Sequence, residues 1–459
     1  MNSSSKFSSF LYLLFFGALI LGAFLLYNSK AFEQNPPVID SPSELFWNLK
    51  EPLKIRIVDD SGLRNYRIYL LKDGTKTLLE NMTLEKHLPE VSFELHPPKN
   101  VMFNRERLLE FEIEATDSSN WSFFAGNTAK KKITAVIDTK RPMLQLVAHS
   151  YKITKGGTAL VVFKAEDEFL DRVELSNGSE SFKPQPFYKK GYYASLITWP
   201  ITNNDFNAKI TAIDMAGNMA ITNVNLFKVQ KNYRQSNLQL KDDFIDGKIS
   251  SLIEEIGERP LVSFKSKVEM FKYINEEIRL SNESVISKVG QANLAILPAH
   301  EFSLIPFYPL RNGAAVASFG DHRIFSYAGQ FASESYHMGL DLASVQNAPI
   351  VSTNTGRVVF TGFLGIYGNV VMVDHGLGLM TLYAHMSEIH VQKGDTIAQN
   401  SVIGKTGMTG LALGDHLHFG IIVQGQEVSC VEWMDAKWIK ESITDVIKSA
   451  KTLIDSQGN

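Results

Sequence analysis

Between Lys6 and Lys30 the chain carries no charged residue, and Phe10 to Tyr27 is almost wholly apolar. A run of that length matches the hydrocarbon layer of a bilayer. A lone segment in lipid satisfies its backbone groups only as a helix. A secretory signal has a shorter apolar region and a small-residue cleavage site, and Ser29-Lys30-Ala31 is a poor one. Residues 1–30 are therefore expected to be a short tail and an uncleaved transmembrane anchor. Lys6 precedes the span and Lys30 follows it, so the charge bias is weak. The shortness of the tail points to export of the larger C-terminal part.

At 459 residues the chain exceeds one ordinary core. The net charge of −3 lacks the basic footprint of a nucleic-acid binder, so no nucleic-acid partner is expected. Cys430 is the only cysteine, which excludes an intrachain disulfide and a cysteine-rich zinc ribbon.

Beyond Pro36-Pro37, Leu53-Lys-Ile-Arg-Ile-Val58 and Tyr66-Arg-Ile-Tyr-Leu70 alternate with a period of two, as half-buried strands do. Phe111-Glu-Ile-Glu-Ala-Thr-Asp117 with Ala125-Gly-Asn127 resembles Ala208-Lys-Ile-Thr-Ala-Ile-Asp214 with Ala216-Gly-Asn218. This repeat suits two small Ig-like β-sandwich units, 38–140 and 141–231, joined at Arg141-Pro142. They are read as spacers, with docking of protein partners as the alternative. A helical connector is expected over 240–297, where Ile245, Ile249, Leu252 and Ile256 share a helical face, as do Phe264, Val268, Phe271, Ile274 and Ile278. A glycine-rich antiparallel β domain follows over 299–430. The last element is a helix, 435–455, capped by Asp435 and striped by Ile439, Ile443, Val446, Ile447, Ala450 and Leu453. The fold class is mainly β.

Eight of the eleven histidines fall between His300 and His418, so their grouping is not a composition effect. Three motifs stand out: His337-Met-Gly-Leu-Asp341, Tyr383-Ala-His385 and His416-Leu-His418. Residues two or four apart on a strand point to one face, so His416 and His418 project together, and His337 and Asp341 are able to. An acid within Gly339-Leu-Asp-Leu-Ala343 needs a partner, because an unpaired buried carboxylate is costly. Four imidazoles and one carboxylate supply three ligands for a catalytic zinc and leave two histidines for acid–base work.

These motifs, with Ser318-Phe-Gly-Asp-His-Arg323, Tyr367-Gly-Asn369, Gly404-Lys-Thr-Gly407 and the stretch Val316 to Val423 around them, resemble the catalytic domain of lysostaphin/LytM-type zinc metallopeptidases. Those enzymes, of the duplicated hybrid motif family, cleave peptides of bacterial peptidoglycan. The resemblance implies one Zn2+ held by His337, Asp341 and His418, with His385 and His416 as catalytic histidines. It implies a D,D-endopeptidase-like hydrolase of cell-wall stems or cross-links, in which zinc-activated water attacks the peptide carbonyl. A neutral histidine accepts a proton near pH 7, so His416 is expected as the base and His385 as a hydrogen-bond partner of the water or the oxyanion. Carboxypeptidase action is a variant of the same class. A non-catalytic regulator of other wall hydrolases is the alternative, though all five expected residues are present. With the anchor, the resemblance places the chain in a bacterial inner membrane as a single-pass protein, its catalytic domain in the periplasm and peptidoglycan as substrate. Gly420 stands where relatives often carry an acid. His375, His322, His390 and His300 are expected at the surface or lining the groove.

Overall fold

The computed structural model describes residues 3–98, 107–292 and 299–456. The chain divides into two compact units, with the main break between Arg141 and Pro142. The loops Phe169–Asp171 and Ile213–Met219 are grouped with the N-terminal unit.

The first helix, Ser3–Tyr27, contains the apolar window Phe10–Tyr27, with a mean hydropathy of 2.4 and none of it buried. It is long and apolar enough to cross a membrane or to serve as a signal sequence. Beyond it lies a six-stranded sheet whose long strands Leu53–Lys72 and Thr75–Leu95 pair along most of their length. The register slips between Val58 and Leu63. Ile55 and Ile57 before the slip share one core with Ile68 and Leu70 after it. The repeated Asp and Gly-Asn elements close equivalent turns. Asp117 Oδ1 accepts from Asn127 N at 2.8 Å, and Asp214 Oδ1 accepts from Asn218 N at 2.8 Å.

Strands between Met143 and Asn223 form two four-stranded sheets. Leu160, Val162, Ala194 and Leu196 from one of them share a core with Leu417, Phe419 and Ile421 of the following domain, and with Trp433, Ile443 and Ala450 of the C-terminal helices. A buried carboxylate reinforces that junction: Glu432 Oε2 accepts from Thr158 N at 2.9 Å. Gly157 makes room for it, since a Cβ there would lie 2.4–2.7 Å from the carboxylate.

The domain's main sheet has eight strands. Leu417–Val423 is buried throughout and lies between Leu340–Ala343 and Leu379–Ala384. Alternation sorts its side chains: Leu417, Phe419, Ile421 and Val423 face the core just described, while His418 and Ile422 face the opposite side. That opposite side packs against the helical runs 242–256 and 267–292 through Ile245, Ile249, Leu252, Phe271, Ile274 and Ile278. Phe264, Val268 and Ile256 pack on the same cluster, half-buried. Ser266 Oγ caps the second run by accepting from Glu269 N at 3.2 Å.

The C-terminal run 436–456 begins at Asp435, which caps it by accepting from Lys437 N at 2.8 Å. Ile439, Ile443, Val446, Ile447 and Ala450 are buried as expected. Leu453 is not: it is 45% exposed, and Ile454 completes the stripe, because the inward face drifts by one position over three turns.

Glu432 generates a pH prediction. Burial pushes its carboxyl up to about 7, against the Thr158 hydrogen bond that favours ionisation. The folded state therefore keeps a proton that the unfolded chain releases near pH 4.5, so the stabilisation is complete below about 4.5 and lost as the pH rises through about 7. Glu432→Gln keeps an acceptor for Thr158 and removes the titration. Between pH 4.5 and 8, wild type should lose on the order of 1–3 kcal/mol relative to the variant, read from urea unfolding by tryptophan fluorescence. Parallel pH profiles for the two proteins would rule this out.

Candidate metal centre

Strand register brings the predicted residues together. Asp341 lies directly opposite His418, and Ala384 faces His418 from the other neighbouring strand, so His385 follows at the strand's end. His337 and Asp341 do not share one extended segment, as the spacing suggested. The chain bends at Gly339 between the strands Gln330–Tyr336 and Leu340–Ala343, and the two side chains meet across that bend. A Cβ on Gly339 would lie 2.4 Å from His418 Nε2, so glycine is what lets His418 sit there.

Three ligand-type atoms converge. His337 Nε2 is 3.0 Å from Asp341 Oδ1 and 3.1 Å from His418 Nδ1, and His418 Nδ1 is 2.9 Å from Asp341 Oδ1. The Ser318 carbonyl, an acceptor only, lies 3.0 Å from His337 Nδ1, so that nitrogen carries the proton and a neutral ring aims a bare Nε2 at the cluster. Burial alone would raise Asp341, but His337 and His418, which donate to it whenever they carry the extra proton, hold its carboxyl far below the ordinary range. Burial lowers His418 and opposes the pull of Asp341, which makes extra protons poor occupants of this cluster. A metal ion suits it better: the edge of a tetrahedron with bonds of about 2.0–2.1 Å is about 3.3 Å, a few tenths longer than the separations here. All three residues are largely buried. His337, Asp341 and His418 thus fit a metal with two imidazole nitrogens and one carboxylate oxygen.

The other two histidines stand beside the cluster. The rings of His385 and His416 are 4.8 Å apart, and His416 Nε2 is 3.8 Å from Asp341 Oδ1. Each Nδ1 meets a backbone carbonyl, Thr409 O for His385 and Gly414 O for His416, both at 2.8 Å. Both rings therefore hold a proton on Nδ1 and present Nε2 as an acceptor when neutral. Burial, then repulsion from His418 and His416, lowers His385 to about 3 and keeps it neutral. His385 adopts a left-handed backbone, φ 60°, an uncommon conformation for a non-glycine residue and one concentrated at functional sites. Thr409 is placed by a close approach of two glycines, Gly368 and Gly410, both at positive φ.

Sequence reasoning misplaced one histidine and overlooked several partners. His375 is buried rather than at the surface, with Nδ1 2.7 Å from Thr355 O and Nε2 2.8 Å from Thr381 Oγ1, and burial lowers it to about 4. His322 stacks on Tyr336 and meets Glu334, and His390 is exposed beside Glu388. The side chain of His300 lies outside the described residues. Tyr367, whose ring meets His418 edge-on, and Arg279 from the helical connector also line the cavity. Only Tyr367 had a signal, its place in Tyr-Gly-Asn.

Residues 335–430 match the family model described as Peptidase family M23. This stretch is a peptidase M23 domain. The chain is 40% identical over 95 residues to the DD-carboxypeptidase/endopeptidase Mpg of Neisseria meningitidis, covering 21% of this chain and 22% of that protein. It is 38% identical over 96 residues to the peptidoglycan DD-endopeptidase ShyA of Vibrio cholerae, with the same coverage. The catalytic domain of lysostaphin from Staphylococcus simulans aligns at 23% identity and a TM-score of 0.24, over 27% of this chain and 92% of that one. The matched part spans only about a fifth of the length of the two curated relatives.

The M23 domain's dependence on Gly339 is testable. Gly339→Ala should weaken metal affinity by about 10–100-fold with little loss of helix and strand content. Gly414→Ala, where a Cβ meets nothing within 4 Å, should leave affinity unchanged. Chelator competition and circular dichroism measure the two. Equal affinity in both variants would refute the packing argument.

Proposed function

We propose that the chain is an exported, zinc-dependent peptidase that cuts peptide stems or cross-links of peptidoglycan in the manner of a D,D-endopeptidase. The observation that carries this reading is the convergence of His337 Nε2, Asp341 Oδ1 and His418 Nδ1 within 3.1 Å, with two further histidines beside them. The names of the relatives support peptidoglycan as the substrate. In this reading the helix Ser3–Tyr27 anchors the chain as a single pass in the inner membrane and the M23 domain works in the periplasm.

When bound, zinc supplies Lewis acidity that polarises the scissile carbonyl and acidifies nearby water. The chain's own groups handle the protons. His416 Nε2 accepts the proton of the attacking water, while Nδ1–H on Gly414 O fixes the tautomer that makes this possible. The resulting imidazolium then donates to the departing amine. His385 Nε2, a lone pair on a ring held neutral by burial, accepts a hydrogen bond from the same water and aims it. Of the two roles open to His385, orienting water suits this tautomer; donation to an oxyanion would require the proton on the other nitrogen. A role as a regulator without turnover gives no use to this histidine pair.

Full-length protein in detergent, supplied with zinc, should release shorter or uncross-linked muropeptides from purified sacculi, read by mass spectrometry, and a chelator should stop the release. His416→Ala should keep its metal and lose about 10²–10⁴ in turnover. A folded, metal-loaded protein that digests nothing would favour the regulator reading, and loss of metal from His416→Ala would reverse the assignment of base and ligand.

A further inference from the structure

The cavity beside the metal cluster, about 390 Å³ in volume, is also walled by three arginines from separate segments, which proton transfer does not use. Arg234 immediately precedes the strand Gln235–Gln239, and Arg323 lies on its parallel neighbour His322–Tyr327, so strand register sets the two near one another. Arg279 reaches the same cavity from the helix Arg279–Ala292.

Arg279 is held in place by neutral groups. Its Nε donates to Asn275 O at 3.2 Å and its Nη2 to Asn275 Oδ1 at 2.9 Å. Asn275 is itself buried and fixed by Ser333 Oγ at 2.9 Å and Glu334 O at 3.2 Å. No carboxylate forms an ion pair with Arg279 or Arg234 among the described residues. Arg323 has one long contact, 3.4 Å from Nε to Asp321 Oδ2, and Asp321 also accepts from Ser236 Oγ at 2.8 Å. Asp341 is committed to the metal cluster, so Asp321 is the one remaining acid among the described lining residues to offset three guanidiniums. Burial disfavours the charge on Arg279, against attraction from Tyr367, Glu283 and Glu427, and repulsion from Arg323 adds to the cost. A half-buried guanidinium in a fixed orientation, with spare N–H donors and no direct ion pair, matches the fork geometry of a carboxylate.

We propose that Arg234, Arg279 and Arg323 read a free carboxylate of the peptide substrate, so that the cavity selects peptides bearing a carboxylate close to the scissile bond over the same peptides amidated there. This rests on the peptidase reading above. It deepens that reading by naming the charge class of the substrate. The carboxylate comes from an internal residue or from the peptide's C-terminus, and both sources present the same chemistry to the arginines.

The test uses the full-length, zinc-supplied protein and three peptides of one sequence: one with only the internal carboxylate free, one with only the C-terminal carboxylate free, and one with both amidated. KM and kcat are read by mass spectrometry of the products, and direct binding by calorimetry. Amidation of the recognised carboxylate should raise KM and weaken binding by about 10–100-fold, with a smaller change in kcat. The free form that escapes this loss identifies the source. In Arg234→Gln, Arg323→Gln and Arg279→Gln the preference should shrink towards one, whereas Arg279→Lys should retain part of it. A purely structural role for the arginines would weaken all three peptides equally and leave the preference intact, which would overturn the proposal. Equal KM and equal affinity for all three peptides in wild type would overturn it too, while leaving the peptidase reading standing. Arginine-dependent preference in binding without any cleavage would support carboxylate recognition and refute the peptidase reading instead.

Discussion

The approach of three electron-rich atoms to about 3 Å of one another organises the C-terminal half of this chain. His337 Nε2, Asp341 Oδ1 and His418 Nδ1 would repel in a buried setting unless a cation were shared among them. Antiparallel register sets Asp341 against His418, and the bend at Gly339 brings in His337. The Ser318 carbonyl fixes which nitrogen of His337 faces inward. The same central strand turns its alternate residues into a core shared with one of the two sheets between Met143 and Asn223 and with the C-terminal helices, so the candidate metal cluster stands on a strand that cannot slide without exposing Leu417, Phe419 and Ile421.

Charge is arranged around this cluster in two kinds. The first is protonic: His385 and His416 each give Nδ1–H to a backbone carbonyl and turn Nε2 to the cavity. The second is fixed: arginines from the helical connector and from beside or within the strand pair Gln235–Gln239 and His322–Tyr327 bring positive charge to the cavity wall. The connector therefore does more than cover one face of the sheet, because Arg279 takes it to the wall of the cavity.

Much of this was legible in the sequence, for reasons of periodicity. The His416-Leu-His418 spacing projects two imidazoles to one side of a strand, as alternation requires, whereas His337 and Asp341 meet only across the bend at Gly339. The connector's apolar positions recur at three and four, and six of them are fully buried in the structure. What periodicity could not give was partnership across long stretches of chain. His375 next to a glycine at a strand end reads as a surface or groove-lining residue, yet it is buried and bonded to Thr355 and Thr381. Arg279 carries no signal in the sequence, and Asn275 and the fold of the connector turn it to the cavity. The sheets between Met143 and Asn223 read as a spacer by their strand pattern, yet one of them shares a core with Phe419 and Trp433.

The most direct test of the account is metal analysis of the purified full-length protein combined with X-ray absorption at the zinc edge. One zinc per chain, bound by two imidazole nitrogens and one carboxylate oxygen at about 2.0–2.1 Å and lost in Asp341→Asn, is the predicted result. A protein that retains no zinc after dialysis, or a zinc environment unchanged by Asp341→Asn, would contradict it.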